Sequence, residues 1–207
     1  MKYGSVMLGQ VEALINKLGG EDVVKRILAD EVVVSITQKA KKLLTLLGTT
    51  TVYSDEPFDV DAHFRVNIKY KNLLSGTPSM GYINPTFRQV FGGKVERPPQ
   101  EEVNLSYHRL QEASVNGPVI KELGFRCLTK LWMIWELLKR QPNGESGTLL
   151  ANGYANIFYV RDARGALWAV SVDWNADYGY WVVYADSVDS PDRWFVGNQV
   201  VSCNSCS

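Results

Sequence analysis

Apolar positions recur at helical spacing from the start of the chain. Val11, Leu14, Ile15 and Leu18 mark one helical face, and Gly19-Gly20 interrupts it. Val23, Val24, Ile27 and Leu28 resume the pattern, so the first thirty residues predict a helical hairpin with a glycine link. Glu31 to Thr37 is β-branched and predicts a strand. Gln38 to Leu47 reads as a helix closed by Gly48, with Lys39, Lys41 and Lys42 toward solvent. Thr49–Tyr53 and His63–Tyr70 are strand candidates on either side of an acidic loop. From Asn72 to Gln100, prolines and glycines predict loops, with a short helical turn or strand at Thr86–Phe91.

The second half is more regular. Pro118 suits the first turn of a helix. Phe125 to Arg140 predicts a long helix with Leu128, Leu131, Trp132, Trp135 and Leu138 on a broad apolar face, ended by Pro142-Asn143-Gly144. A β-meander follows in three runs, Asn156–Val160, Leu167–Trp174 and Tyr180–Val188, with turns at 162–165 and 176–179. In the middle run Trp168, Val170, Val172 and Trp174 share one face, and Ser171 and Asp173 share the other. This alternation predicts a sheet with one packed face, set against the long helix.

The expected class is therefore α+β, with an N-terminal helical hairpin, a central mixed region, and a long helix packed on a C-terminal three-stranded antiparallel meander. We expect a single domain over residues 1–207, made of a mainly helical part (1–48), a loop-rich part (49–117), helix plus meander (118–202) and a polar tail (203–207). Pro98-Pro99 is the best boundary candidate within it, although the second half is not expected to be independent.

Charge narrows the functions. Lys plus Arg and Asp plus Glu number 22 each, so there is no global field for nucleic acid or a membrane. Residues 148–207 carry 3 basic and 6 acidic side chains, which disfavours a phosphate-backbone binder there. No apolar run is long enough to span a bilayer, and the first ten residues are too polar for a signal peptide. The expectation is a cytoplasmic protein with no membrane partner and nucleic acid unfavoured.

Several stretches resemble one group of proteins. They are Gly9 to Gly20 (GQVEALINKLGG), Asn152 to Asp162 (NGYANIFYVRD), Ala185-Asp186-Ser187-Val188 running to Arg193-Trp194, and Gly197 to Ser202 (GNQVVS). The chain is similar there to uncharacterised small proteins of candidate-phylum bacteria of the Parcubacteria type. That resemblance implies a bacterial cytoplasmic protein. It carries over no activity and no functional residue.

Candidate chemistry is sparse. Cys203 and Cys206 have C-x-x-C spacing, but at the chain end and without two further ligands they read as a polar tail. Cys127 falls in a helical pattern, as a small core residue does, although a nucleophile pair with His108 is conceivable. His108 could form an acid–base pair with Glu101, Glu102 or Glu112, the basis of a hydrolase or nuclease-like reading. Asp55, Glu56, Asp59 and Asp61, like Asp186, Asp189 and Asp192, lack calcium-loop spacing and read as solvated turns. No phosphate-binding glycine loop, nucleophile elbow or zinc helix is present, and no cofactor or metal is expected.

Aromatic density remains. Residues 154–195 hold eleven of the 23 aromatic side chains. Tyr154, Tyr159, Tyr178, Tyr180, Trp181 and Tyr184 cannot all point into one core if the strands alternate. The leading expectation is a non-catalytic binding protein whose sheet presents Tyr178, Tyr180, Trp181 and Trp194 to a protein or a small stacking ligand.

Overall fold

The computed structural model describes residues 7–31, 42–68 and 76–204. The chain divides into two compact units, Met1–Lys41 and Lys42–Ser207. In the first, α1 (Leu8–Lys17) and α2 (Glu21–Leu28) form the expected hairpin. Gly19 and Gly20 both take positive φ, which a Cβ would oppose, so the glycine pair permits the tight link. Neither helix has a buried residue. The strand expected at Glu31–Thr37 falls, past Glu31, outside the described residues.

The second unit is built on an eight-stranded mixed sheet. Its strands are β1 (Leu44–Val52), β3 (Met80–Ile83), β5 (Val103–Leu110), β6 (Leu128–Thr129), β7 (Asn156–Arg161), β8 (Leu167–Asn175), β9 (Tyr180–Ser187) and β10 (Gln199–Cys203). Their order is β1-β5-β10-β7-β8-β9-β3, with β6 also paired to β7. A separate two-stranded pair joins β2 (Phe58–Asp59) to β4 (Val95–Glu96). The helices are α3 (Val60–His63), α4 (Pro85–Phe91), α5 (Asn116–Leu123) and α6 (Leu131–Lys139). The class is α+β, and no helix among the described residues is long and apolar enough to cross a membrane.

The meander β7-β8-β9 and both its turns stand where the pattern places them. Other expectations are corrected. Leu44–Leu47 belong to β1, where pairing with β5 overrides the helix propensity of leucine, and Gly48 sits in a bulge against the Tyr107 ring. His63 ends the short α3, and Phe64–Ile68 form no strand. The long helix is broken: Gly124 takes φ 61°, a 3-10 turn covers Gly124–Cys127, and Leu128–Thr129 pair with Tyr159 and Val160. Only Leu131–Lys139 is α-helical, because the preceding backbone finds ladder partners instead. Cys203 is no tail residue; it is buried at the end of β10 and disulfide-bonded.

Pro98-Pro99 is not a boundary, since β1 pairs with β5 and β3 with β9 across it. Nor does the sheet pack on one face only. One face meets α6, Phe58, Phe64, Phe87 and Phe91 in the larger core. The other meets Val119 and Leu123 of α5 with Cys127, Leu44, Leu110, Ile157, Tyr159, Ala169 and Val200. This second cover stops at Ala169. Beyond it, on the same face of β8, β9 and β3, no helix of this unit's described residues belongs to the second core.

Candidate functional site

Strand register decides what stands on that part of the face. Ala169 belongs to the second core, and directly opposed residues of neighbouring strands share a face. Ala169 opposes Asp186, Ser171 opposes Tyr184, Asp173 opposes Val182, and Asn175 opposes Tyr180. Tyr82 opposes Val182 from the other side. Two acids and three tyrosines from three strands are thus gathered on one surface. Tyr82 is 41% exposed and Tyr178, in the β8–β9 turn, 72%. The Tyr82 and Tyr184 rings lie 5.6 Å apart, and Tyr178 stacks on Tyr180 at 5.7 Å. Tyr180 also covers Gly81, where a Cβ would collide with its ring.

Asp173 is the unusual member. Its Oδ1 is buried and has no hydrogen-bond partner. Burial pushes its pKa up to about 7, against a smaller opposing effect of the Asn156 backbone. The Tyr184 hydroxyl is raised by burial and then by Asp173, Tyr82, Tyr180 and Asp186. Every charged form acting on Tyr184 is negative. Burial, and then Asp192, also raises Asp186.

The sequence-derived aromatic residues divide. Tyr178 and Tyr180 lie on this surface. Trp181 does not: it is fully buried beside Trp174, at 5.3 Å between rings, and its Nε1 donates to the Gln141 carbonyl at 2.8 Å. Strand alternation sends it to the face opposite Tyr180. Trp194 is half-buried elsewhere, and its Nε1 donates to Asn116 Oδ1, which also accepts from the Tyr159 hydroxyl, at 2.7 and 3.0 Å. Trp194 is therefore part of a structural node. Replacing Asn116 by alanine strands two donors, and a loss of about 1–3 kcal/mol is expected in urea unfolding.

His108 lies on β5, not in a loop-to-helix region, facing the second core opposite Val200 and Leu46. Its Nδ1 is buried without a hydrogen-bond partner, and burial lowers its pKa. The charges that act on it are those of Arg126 and Glu122. Glu122 already accepts the Leu43 and Leu44 N–H groups. Glu101 and Glu102 precede β5, so an extended chain sets Glu102 about 20 Å from His108. Glu112 is exposed past the far end of the strand. His108 is thus brought to none of these three carboxylates by the strand geometry. Cys127 is buried and free, with its thiol pKa raised by burial, the opposite of an activated nucleophile. His63 Nδ1 meets the Asp59 carbonyl at 2.6 Å, and its ring stacks on Phe58.

The acidic loop is used locally. Asp59 Oδ1 caps α3 by accepting from Asp61 and Ala62, and Asp61 Oδ2 accepts from Gly93. No group of three or more metal-ligating side chains gathers among the described residues. No protein-family model matches the chain, and neither a curated protein nor a solved structure shows significant similarity to it.

Proposed function

We propose that this chain is a non-catalytic binding protein of the bacterial cytoplasm whose recognition surface is the open end of the sheet, Tyr82, Tyr178, Tyr180 and Tyr184 around Asp173. One observation carries the reading: a buried oxygen without a donor on the half-buried Asp173 carboxyl, set among partly exposed tyrosine rings. A buried acceptor left unsatisfied is costly, and a ligand that brings an N–H group removes that cost. Flat electron-rich rings favour a cation at their faces, and a guanidinium both stacks on tyrosine and pairs with a carboxylate. The surface therefore suits a polypeptide partner presenting an arginine side chain. The same negative charge disfavours a phosphate backbone.

Calorimetric titration with acetylated, amidated Gly-Arg-Gly tests this. Saturable binding is expected, weakened about tenfold or more by Asp173→Asn and by Tyr184→Ala. The citrulline counterpart, neutral and nearly isosteric, is expected not to bind. Equal affinity of both peptides, or of wild type and folded variants, would remove the tyrosine face from consideration. The cytoplasmic setting rests on the sequence. The disulfide at Cys203 is a bond that oxidising compartments favour, so thiol labelling in freshly lysed cells bears on that part separately.

A further inference from the structure

A cavity of about 390 Å³ opens beside β4 and β6 at the start of α6, on residues that the tyrosine surface does not use. Four cations, Lys94, Arg97, Lys130 and Arg161, line it with two acids, Glu96 and Asp162. What matters is which of these charges are already occupied.

Both acids are. Glu96 is almost fully buried, its Oε2 accepts the Trp132 N–H at 2.9 Å, and its Oε1, which makes no hydrogen bond, is ion-paired with Lys94 Nζ at 3.0 Å. Asp162 Oδ1 accepts from the Arg164 and Ala166 N–H groups, and its Oδ2 from Trp168 Nε1. These bonds hold the β7–β8 turn and the first turn of α6 in place. Neither carboxylate is left to receive a cation.

The cations are occupied unequally. Lys94 is spent on Glu96 and on the Arg161 carbonyl, 2.6 Å away. Arg161 gives one amino group to the Gly165 carbonyl at 2.6 Å, which fixes the side chain and leaves the rest of its fork. Arg97 and Lys130 make no ion pair or side-chain hydrogen bond among the described residues, and both are exposed. The cavity thus has its acids satisfied from within and its spare donors all positive. Leu128 and the aliphatic stems of the basic residues supply apolar wall beside those charges.

We propose that this cavity binds a small organic oxyanion, a carboxylate or phosphate group on an apolar body about the size of a benzene ring, held by Arg97, Lys130 and the remaining donors of Arg161. Guanidinium forks match the paired oxygens of either group, and the volume lies within the range of small-molecule sites. Apolar wall next to the charges favours a substituted anion over a bare ion.

Titration of the full chain with phenyl phosphate, benzoate, inorganic phosphate and benzyl alcohol tests the proposal. Phenyl phosphate or benzoate is expected to bind with a dissociation constant below about 1 mM, and to weaken with added salt. The tighter of the two identifies the headgroup, and either order supports the site. Benzyl alcohol is expected not to bind, and inorganic phosphate to bind less tightly than phenyl phosphate. The double variant Arg97→Gln/Lys130→Gln is expected to lose at least about tenfold, with melting and circular dichroism unchanged because both side chains are exposed. Tyr184→Ala is expected to leave this binding intact, which separates it from the other surface. No saturable binding of any of the three anions, or an unaltered affinity in the double variant, would overturn the proposal.

Discussion

Replacing Trp181 by alanine is expected to destabilise the protein by about 3–5 kcal/mol, the range for emptying a large aromatic site. The indole is wholly enclosed, edge-on to Trp174, in the core formed by α6 and the strands. Its removal opens a cavity that the surrounding strands can fill only in part. It also takes away one of the two donors to the Gln141 carbonyl, which is left with the Gly144 N–H alone. Gly144, in that same loop, takes φ 71° and lies so close to the Trp174 ring that a Cβ would overlap it. The loop and the two indoles thus fit one another and have little room to relax. For a chain of this length the loss corresponds to roughly 6–20 °C in melting temperature. Tyr178→Ala, on the exposed turn, is expected to change stability by less than about 0.5 kcal/mol. Urea unfolding of both variants checks the contrast. A Trp181 variant as stable as wild type would mean that this core does not depend on the indole.

The placement of Trp181 was within reach of the sequence. A four-residue turn at 176–179 makes Asn175 and Tyr180 the closing pair, so Trp174 must oppose Trp181. Alternation puts Trp174 on the packed face, and its partner follows it there. The meander and the glycine link of the hairpin were legible for local reasons, whereas the pattern at Thr86–Phe91 leaves helical turn and strand both open, and the segment is part of α4. β5 was not. It lies inside the sheet with residues of both faces enclosed, so Ser106 and His108 on the second face blur the alternation of Val103, Leu105 and Tyr107. β1 was hidden by its leucines, which favour a helix until β5 supplies a partner. Asp173 was recognisable as a residue of the second face, but its burial was not. Its surroundings are non-local: Tyr82, on the same face, comes from about ninety residues away through the β3–β9 pairing.

Asp173→Asn is expected to make the protein more stable than wild type at pH 8 and about equally stable at pH 4. In the unfolded chain this carboxyl titrates near its ordinary value of 3.8, whereas burial raises it to about 7 in the fold. Between those values the folded state holds a proton that the unfolded state has released. The contribution of the group to stability is therefore complete below about pH 4, declines as pH rises, and is lost above about pH 7. At about 1.4 kcal/mol per pH unit the difference reaches up to about 4 kcal/mol. Asparagine keeps the shape and removes the titration, so the pH slope of the variant relative to wild type isolates this residue from Asp186, Tyr82, Tyr180 and Tyr184 around it. Parallel stability curves for the two proteins across pH 4–8 would show that the carboxyl is better solvated than its unpaired oxygen indicates. The same titration governs recognition. A guanidinium pairs with the ionised carboxylate, so arginine-peptide affinity is expected to fall up to about tenfold for each pH unit below 7, with uptake of a proton by buffer on binding. A hydroxyl donor would bind the neutral acid as well and show no such slope. The pH profile of binding thus separates a cation site from a neutral one, and its disappearance in Asp173→Asn assigns the effect to that side chain.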